Sequence, residues 1–370
     1  MKTLVQELGD FGQSIWLDYI SRPLLRTGKL KAMLEFGLLG MTSNPTIFNE
    51  AISTHTAYDE QIVKLAEAGK KPFDTYDAIT IQDIQEAADI FRGVYEKTKF
   101  LDGYVSLEIN PKLAMDTQGS IKEGLRLFKT VKRPNVMIKV PATDPGFPVI
   151  TELLSQGVSV NVTLIFSLQQ YEKTVQAYFS GIEKLLKMTK DLSRIRSVAS
   201  VFVSRIDTQV DNALDQKMTQ EQDEANKKQM QSLKGKTAIA NCAVIYQRFQ
   251  SFFSKNTLPC PVQRVLWGST GTKNPLYSDI KYVSELITKD TVNTLPEKTI
   301  NAFLDHGHVK AALTDSREAL VILGALRRYG IDIDQVCTKL LIDGVAAFEK
   351  SFDALIATID QKARNLCAKN

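Results

Sequence analysis

Residues 159–203 read SVNVTLIFSLQQYEKTVQAYFSGIEKLLKMTKDLSRIRSVASVFV. Both ends of this stretch, Ser159–Ile165 and Ser197–Val203, are short apolar runs rich in β-branched residues, which predicts strands. Between them Leu168–Met188 is amphipathic at helical spacing. Near-continuous apolar character in the runs means burial on both faces, as in a parallel sheet with helices packed over it. Strand, helix and strand in that order form one βαβ unit.

The same alternation runs from end to end. Further strand candidates are Ser14–Ile20, Gly37–Met41, Tyr104–Ile109, Val136–Val140, Gln263–Trp267 and, with a weaker pattern, Thr291–Leu295. Helical patterns occupy Ile79–Lys97, Ser120–Lys129, Pro148–Leu154 and a long stretch near Gln216–Phe253. Part of that stretch, Met218–Lys236, is polar and charge-rich and reads as a solvated helix plus a loop. Glu297–Leu304, Asp315–Tyr329 and Asp334–Asp360 carry Leu, Ile, Val and Phe at helical spacing, as outer helices packed on a barrel would. Eight strand units in succession predict an α/β chain folded as a single (β/α)8 TIM barrel with additional C-terminal helices. An open doubly wound sheet needs a Gly-rich phosphate turn after its first strand, and Ile15–Leu25 has none. There is no repeat of fixed period, no low-complexity linker and no Pro/Ser-rich boundary, so residues 1–370 read as one domain.

Composition agrees with a globular chain: 370 residues, 44% hydrophobic, 24% charged, net charge +4. The 46 basic and 42 acidic residues are scattered, which suits anionic metabolites at one site better than a nucleic-acid footprint. The N-terminus lacks an apolar signal core, and no stretch approaches the ~18 apolar residues of a membrane span. A cytoplasmic chain with neither nucleic-acid nor membrane partners is expected. Cys242, Cys260, Cys337 and Cys367 stand far apart without paired spacing, as free thiols of a reducing compartment do. His306 and His308 flank one glycine, but no Cys or acidic cluster of ligand spacing accompanies them. No metal site is expected.

Chemistry is expected where strands end on polar residues. Asp18 follows Ile15-Trp16-Leu17, Glu108 follows Val105-Ser106-Leu107, and Lys139 follows Val136-Met137-Ile138. Asn161 and Thr163 alternate on one strand and share a face. Arg205 and Lys273 come just after two later runs. Taken singly, a lysine after an apolar run is more often a strand-end residue snorkelling to solvent, and Asp18 and Glu108 read as ordinary salt-bridge partners for it. Together they converge, because the C-terminal strand ends of a barrel meet at one mouth. A lysine in an apolar site beside carboxylates points to Schiff-base chemistry: desolvation disfavours its ammonium form and frees the amine to attack a carbonyl. An adjacent acid would shuttle protons, and Arg and Lys beyond the strands would hold a phosphate. The residues alone read as an aldolase-type enzyme acting on a phosphorylated sugar.

Six stretches then resemble transaldolase: Gly40-Met41-Thr42-Ser43-Asn44-Pro45-Thr46-Ile47-Phe48, Val105-Ser106-Leu107-Glu108-Ile109-Asn110-Pro111, Met137-Ile138-Lys139-Val140-Pro141-Ala142-Thr143, Asn161-Val162-Thr163-Leu164-Ile165-Phe166-Ser167, Ser200-Val201-Phe202-Val203-Ser204-Arg205-Ile206-Asp207 and Trp267-Gly268-Ser269-Thr270-Gly271-Thr272-Lys273-Asn274-Pro275. They occur in family order over nearly the whole chain, and the length and the insert near Gln216–Phe253 look like the longer bacterial subfamily. The resemblance implies a (β/α)8 barrel without metal or organic cofactor. It also implies reversible transfer of a dihydroxyacetone unit from sedoheptulose 7-phosphate to glyceraldehyde 3-phosphate, giving erythrose 4-phosphate and fructose 6-phosphate, in the non-oxidative pentose phosphate pathway. Lys139 would form the Schiff base. Asp18 would act on the hydroxyl whose deprotonation drives C–C cleavage, and Glu108, with a water held by Thr163, would move protons during imine formation. Asn44, Asn161 and Ser200 would bind hydroxyls of the dihydroxyacetone moiety, and Arg205 would bind phosphate. Many transaldolases place a second Arg after the seventh strand; here Lys273 stands nearby with Ser269 and Thr270, keeping the charge without the bidentate fork. Thr42 would contact substrate or shape the turn that presents Asn44. Either a monomer or a homodimer is compatible with the chain.

Two rivals remain. Fructose-6-phosphate aldolases resemble the same barrel and lysine, but are much shorter and carry tyrosine where this chain has Phe202 and glutamine where it has Glu108. A catalytically silent barrel kept for binding would have lost one of Asp18, Glu108, Lys139 and Thr163, and all four are present.

Overall fold

The computed structural model describes residues 2–368. Its centre is a closed barrel of parallel strands in chain order. These are β1 (Gln13–Asp18), β2 (Gly40–Thr42), β3 (Val105–Glu108), β4 (Val136–Pro141), β5 (Val160–Ile165), β6 (Ser197–Phe202), β7 (Arg264–Gly268) and β8 (Thr291–Leu295). All eight expected strands are present, with helices around the barrel and further helices after β8. The second strand starts later than the sequence pattern suggests. Gly37 adopts φ 108°, and a side chain there would come within 2.8 Å of Gln6, so this residue closes a turn before β2 begins.

Two layers of packing hold the barrel. Outward-facing valines and isoleucines of the strands merge with the apolar faces of the helices into one large core. Inside the barrel, Trp16, Met137, Val198, Leu266 and Val292 form a separate apolar plug with Tyr95 and Tyr104. Gly40 is required beside that plug, because an added Cβ would lie 2.6 Å from the Trp16 indole. Below the plug Asp102 accepts hydrogen bonds from Trp16 Nε1 (2.9 Å), Ser14 Oγ (2.8 Å) and Arg264 Nη2 (2.8 Å), closing the N-terminal end of the barrel.

The long stretch near Gln216–Phe253 is not one helix. It falls into Ser204–Gln220, Glu224–Leu233 and Thr237–Lys255. The first break follows extended backbone at Glu221, and the second turns on Gly235 (φ 69°), whose N–H donates to Asp211 Oδ1 at 2.9 Å. The polar middle segment is a mostly exposed helix that buries only Met230 and Leu233. Helices Leu4–Phe11, Pro45–Thr54 and Asp59–Glu67 are additional to those expected.

The largest departure is the last helix, Ile333–Cys367. It is not a purely outer helix. It packs on Pro45–Thr54, Asp59–Glu67 and the C-terminal end of β5, which carries it across the barrel mouth. Thr46 Oγ1 donates to Ser351 Oγ (2.9 Å), Thr358 Oγ1 to Asn49 Oδ1 (2.8 Å), and Lys362 Nζ to Asp59 Oδ1 (2.7 Å). No helix among the described residues is long and apolar enough to cross a membrane.

Candidate active site

The barrel register sets the site. Glu108 pairs with Lys139 across β3 and β4, Lys139 pairs with Asn161 across β4 and β5, and Asp18 pairs with Thr42 across β1 and β2. These side chains meet at the C-terminal mouth around a cavity of about 220 Å³. Asp18, Asn44, Lys139, Asn161, Thr163, Ser200, Arg205, Ser269 and Lys273 all line it. Glu108 alone of the sequence-expected residues stands behind the wall, beside Lys139.

Lys139 is 5% exposed, and its Nζ donates to the Ser43 carbonyl at 3.2 Å. Glu108 Oε2 lies 3.4 Å from that nitrogen, a Coulombic pairing that is not aligned as a hydrogen bond. Burial pushes the Glu108 carboxyl up to about 7 against the opposing pull of Lys139, with Asp18 adding to the rise. Asp18 shows one edge to the cavity and is otherwise ringed by protein, so desolvation holds its carboxyl above the usual range despite Lys139, Thr42 and Lys273. Thr42 Oγ1 donates to Asp18 Oδ1 at 2.7 Å and is itself 2.7 Å from Thr294 Oγ1. Thr42 therefore orients the carboxylate rather than only shaping the turn.

The amide and hydroxyl groups form a chain along the wall. Ser200 Oγ donates to Asn161 Oδ1 (2.6 Å), whose Nδ2 donates to Ser106 Oγ (3.0 Å). Ser200 thus commits its proton to Asn161 and offers lone pairs to the cavity. Thr163 Oγ1 is buried without a hydrogen-bond partner among the described residues. Asn44 caps the helix Pro45–Thr54, its Oδ1 accepting from Ile47 N–H at 3.0 Å, which leaves its amide NH2 for the cavity.

The cations sit at the rim. Arg205 lies in the first turn of Ser204–Gln220, half-buried, with its guanidinium 5.8 Å from the centre of the Phe202 ring. Burial lowers its pKa from the usual arginine value, with Asp343 opposing. Lys273 is exposed on the loop after β7. In that loop Ser269 takes a left-handed conformation (φ 54°), its Oγ 3.1 Å from Ser204 Oγ. Thr270 Oγ1 ties the loop to the Thr294 carbonyl at 2.9 Å.

A family model described as Transaldolase/Fructose-6-phosphate aldolase matches residues 15–359. The chain belongs to this family. It is 43% identical to the Transaldolase of Frankia alni over 98% of each chain. It is also 41% identical to the Transaldolase of Trichodesmium erythraeum, over 97% of each chain, and 42% identical to that of Saccharopolyspora erythraea, again over 97% of each. Transaldolase-family membership implies sugar-phosphate substrates, and the cavity, with a lysine at its floor and two cations at its rim, has the chemistry for them.

Sequence reasoning missed part of the lining: Thr46, Ile47, Thr294, Pro296 and Phe348. Thr294 was within reach, because alternation from the inward Val292 puts it on the inner face of β8. Phe348 carried no signal, as its spacing on the last helix is that of any core residue. A larger cavity of about 860 Å³ opens at the opposite end of the barrel. There the buried Arg264 is already paired with Asp102.

Proposed function

We propose that the chain is a transaldolase that transfers a dihydroxyacetone unit reversibly from sedoheptulose 7-phosphate to glyceraldehyde 3-phosphate, giving erythrose 4-phosphate and fructose 6-phosphate. The observation that carries this reading is the buried Lys139 nitrogen facing the cavity, with Glu108 at 3.4 Å and Asp18 in the same cavity.

Lys139 Nζ adds to the C2 carbonyl of the donor. Glu108, protonated near neutral pH, supplies the proton with which the carbinolamine hydroxyl leaves as water, through a water held by Thr163 Oγ1. Asp18 removes the C4 hydroxyl proton, the C3–C4 bond breaks, and its electron pair flows into the iminium to leave an enamine. The first aldose departs. Enamine C3 then attacks the acceptor aldehyde, Asp18 returns the proton, and hydrolysis of the iminium frees Lys139. Ser200 and Asn44 take hydroxyls of the three-carbon unit, with Asn161 holding Ser200 in line. Arg205, at a helix N-terminus, and Lys273, with Ser269, hold the phosphate. Residues 1–370 act as one catalytic domain, cytoplasmic, as a monomer or homodimer.

Phe202 and Glu108 favour transfer over release of free dihydroxyacetone, since neither offers the tyrosine hydroxyl or the glutamine of an aldolase wall. The test is incubation with fructose 6-phosphate and no acceptor, borohydride reduction, and peptide mass spectrometry. A three-carbon adduct on the Lys139 peptide is expected. An adduct on another lysine, or on none, overturns the reading.

A further inference from the structure

The last helix brings one aromatic ring to the catalytic lysine. Phe348 is 7% exposed and its ring centre is 5.6 Å from Lys139 Nζ. The same ring lines the substrate cavity and a small, separate apolar recess that holds Glu108. Ile109, Pro111, Ala114, Pro141, Leu164 and Val345 complete that recess, and Pro111 starts the turn after β3. The helix is fixed over it: Gly344 lies so close to Leu164 that an added Cβ would be 3.0 Å from Leu164 Cδ2. Phe348 therefore stands between the Glu108 recess and the open part of the substrate cavity.

We propose that Phe348 is a positioning residue for imine formation, which shields the Glu108 carboxyl from bulk water and leaves the single water held by Thr163 as its proton route to the carbinolamine. The inference rests on the proton role assigned to Glu108 above. The groups that face Glu108 are few. Lys139 approaches from β4, Asp18 acts from β1, and Tyr76 faces it from the helix Pro72–Lys97. Lys112, on the turn after β3, is directed to Asp353 at 2.6 Å on the last helix instead. The last helix presents only Val345 and Phe348 to the recess, so apolar bulk, not a charge, is what it contributes. A carboxyl in such a recess keeps its proton well above the ordinary range, and opening the recess to bulk water reverses this.

The experiment measures the rate of adduct trapping with fructose 6-phosphate and cyanoborohydride from pH 5 to 9, in the wild type and in Phe348→Ala, Phe348→Val, Phe348→Leu and Glu108→Gln. The Glu108 limb is the falling limb that disappears in Glu108→Gln. In Phe348→Ala that limb moves at least one pH unit toward acid and the rate at pH 7.5 falls about tenfold. Phe348→Val, the milder truncation if the alanine variant does not fold, moves it by a smaller amount in the same direction. Phe348→Leu, apolar but without a ring, restores the wild-type position. A slower Phe348→Ala or Phe348→Val enzyme with an unmoved limb overturns the proposal and leaves Glu108 as the acid. A limb that survives Glu108→Gln overturns it together with the role given to Glu108.

Discussion

Glu108 and Lys139 sit opposite one another in the β3–β4 register, and their charged ends are 3.4 Å apart with almost no solvent contact. Burial strips a carboxylate of its hydration, and an opposite charge offsets that cost only in part. The Glu108 carboxyl is accordingly pushed up to about 7 from a usual value of 4.5.

That shift has a stability signature. A carboxyl whose folded pKa lies above its unfolded value binds its proton more tightly in the native state. Its contribution is complete below about pH 4.5 and is lost as pH rises toward about 7. Between pH 5 and 8 this site is expected to cost the wild type up to ~3 kcal/mol. In Glu108→Gln the difference in stability from urea unfolding at pH 5 and pH 8 shrinks by a comparable amount. An unchanged difference would show that Glu108 ionises in the fold as it does in the unfolded chain.

Asp18 is separable from Lys139 by the size of the trapped adduct. Thr42 Oγ1 donates to its carboxylate at 2.7 Å, and in the proposed mechanism that carboxylate takes the hydroxyl proton before the carbon–carbon bond breaks. Asp18→Asn is expected to form the imine and stop there, with turnover reduced by ~10² to 10⁴. Borohydride then fixes six carbons on the Lys139 peptide instead of three. Three carbons on the variant would assign cleavage to another base.

Phe202 packs edge-on against Phe166 at 5.4 Å and closes one side of the cavity with no polar atom. Phe202→Tyr places a hydroxyl there that can protonate the enamine. Free dihydroxyacetone release is expected to rise relative to transfer to an acceptor, in side-by-side assays. Equal ratios in the two proteins would count against this wall controlling the fate of the enamine.

At the far end of the barrel, Asp102 and Arg264 are 3% and 8% exposed and 2.8 Å apart. Asp102→Ala leaves the guanidinium without a counter-charge, holding only Ser14 Oγ and the Leu101 carbonyl, and strips Trp16 Nε1 of its acceptor. A loss of about 3–5 kcal/mol is expected in urea unfolding at pH 7. The KM of the folded fraction should not change, because the apolar plug separates this pair from the substrate. Full stability in the variant would mean that other groups close the barrel.

Much of this was legible because barrel strands bury both faces. Valine and isoleucine runs such as those of β4 and β5 then stand out against amphipathic helices, and a lysine or carboxylate at their ends is conspicuous. Asp18, Lys139, Thr163 and Arg205 therefore fall in one cavity as their places at or just beyond strand ends require. What was hidden depends on non-local packing. The second break in the 216–253 stretch turns on Gly235, whose N–H is received by an aspartate twenty-four residues away. Phe348 reaches the site only because the last helix crosses the mouth, and periodicity reports that a face is buried, not which surface buries it.

The plug of Trp16, Met137, Val198, Leu266 and Val292 makes the barrel a cup with one opening. Both aldoses must use that opening, and the last helix narrows it further. With one shared mouth, the order expected is that the first aldose leaves before the acceptor enters, with the three-carbon fragment held on the enzyme in between. The kinetic form of such traffic is double displacement: parallel lines in double-reciprocal plots at several fixed acceptor concentrations, and competition between acceptor and donor for the free enzyme when acceptor is in excess.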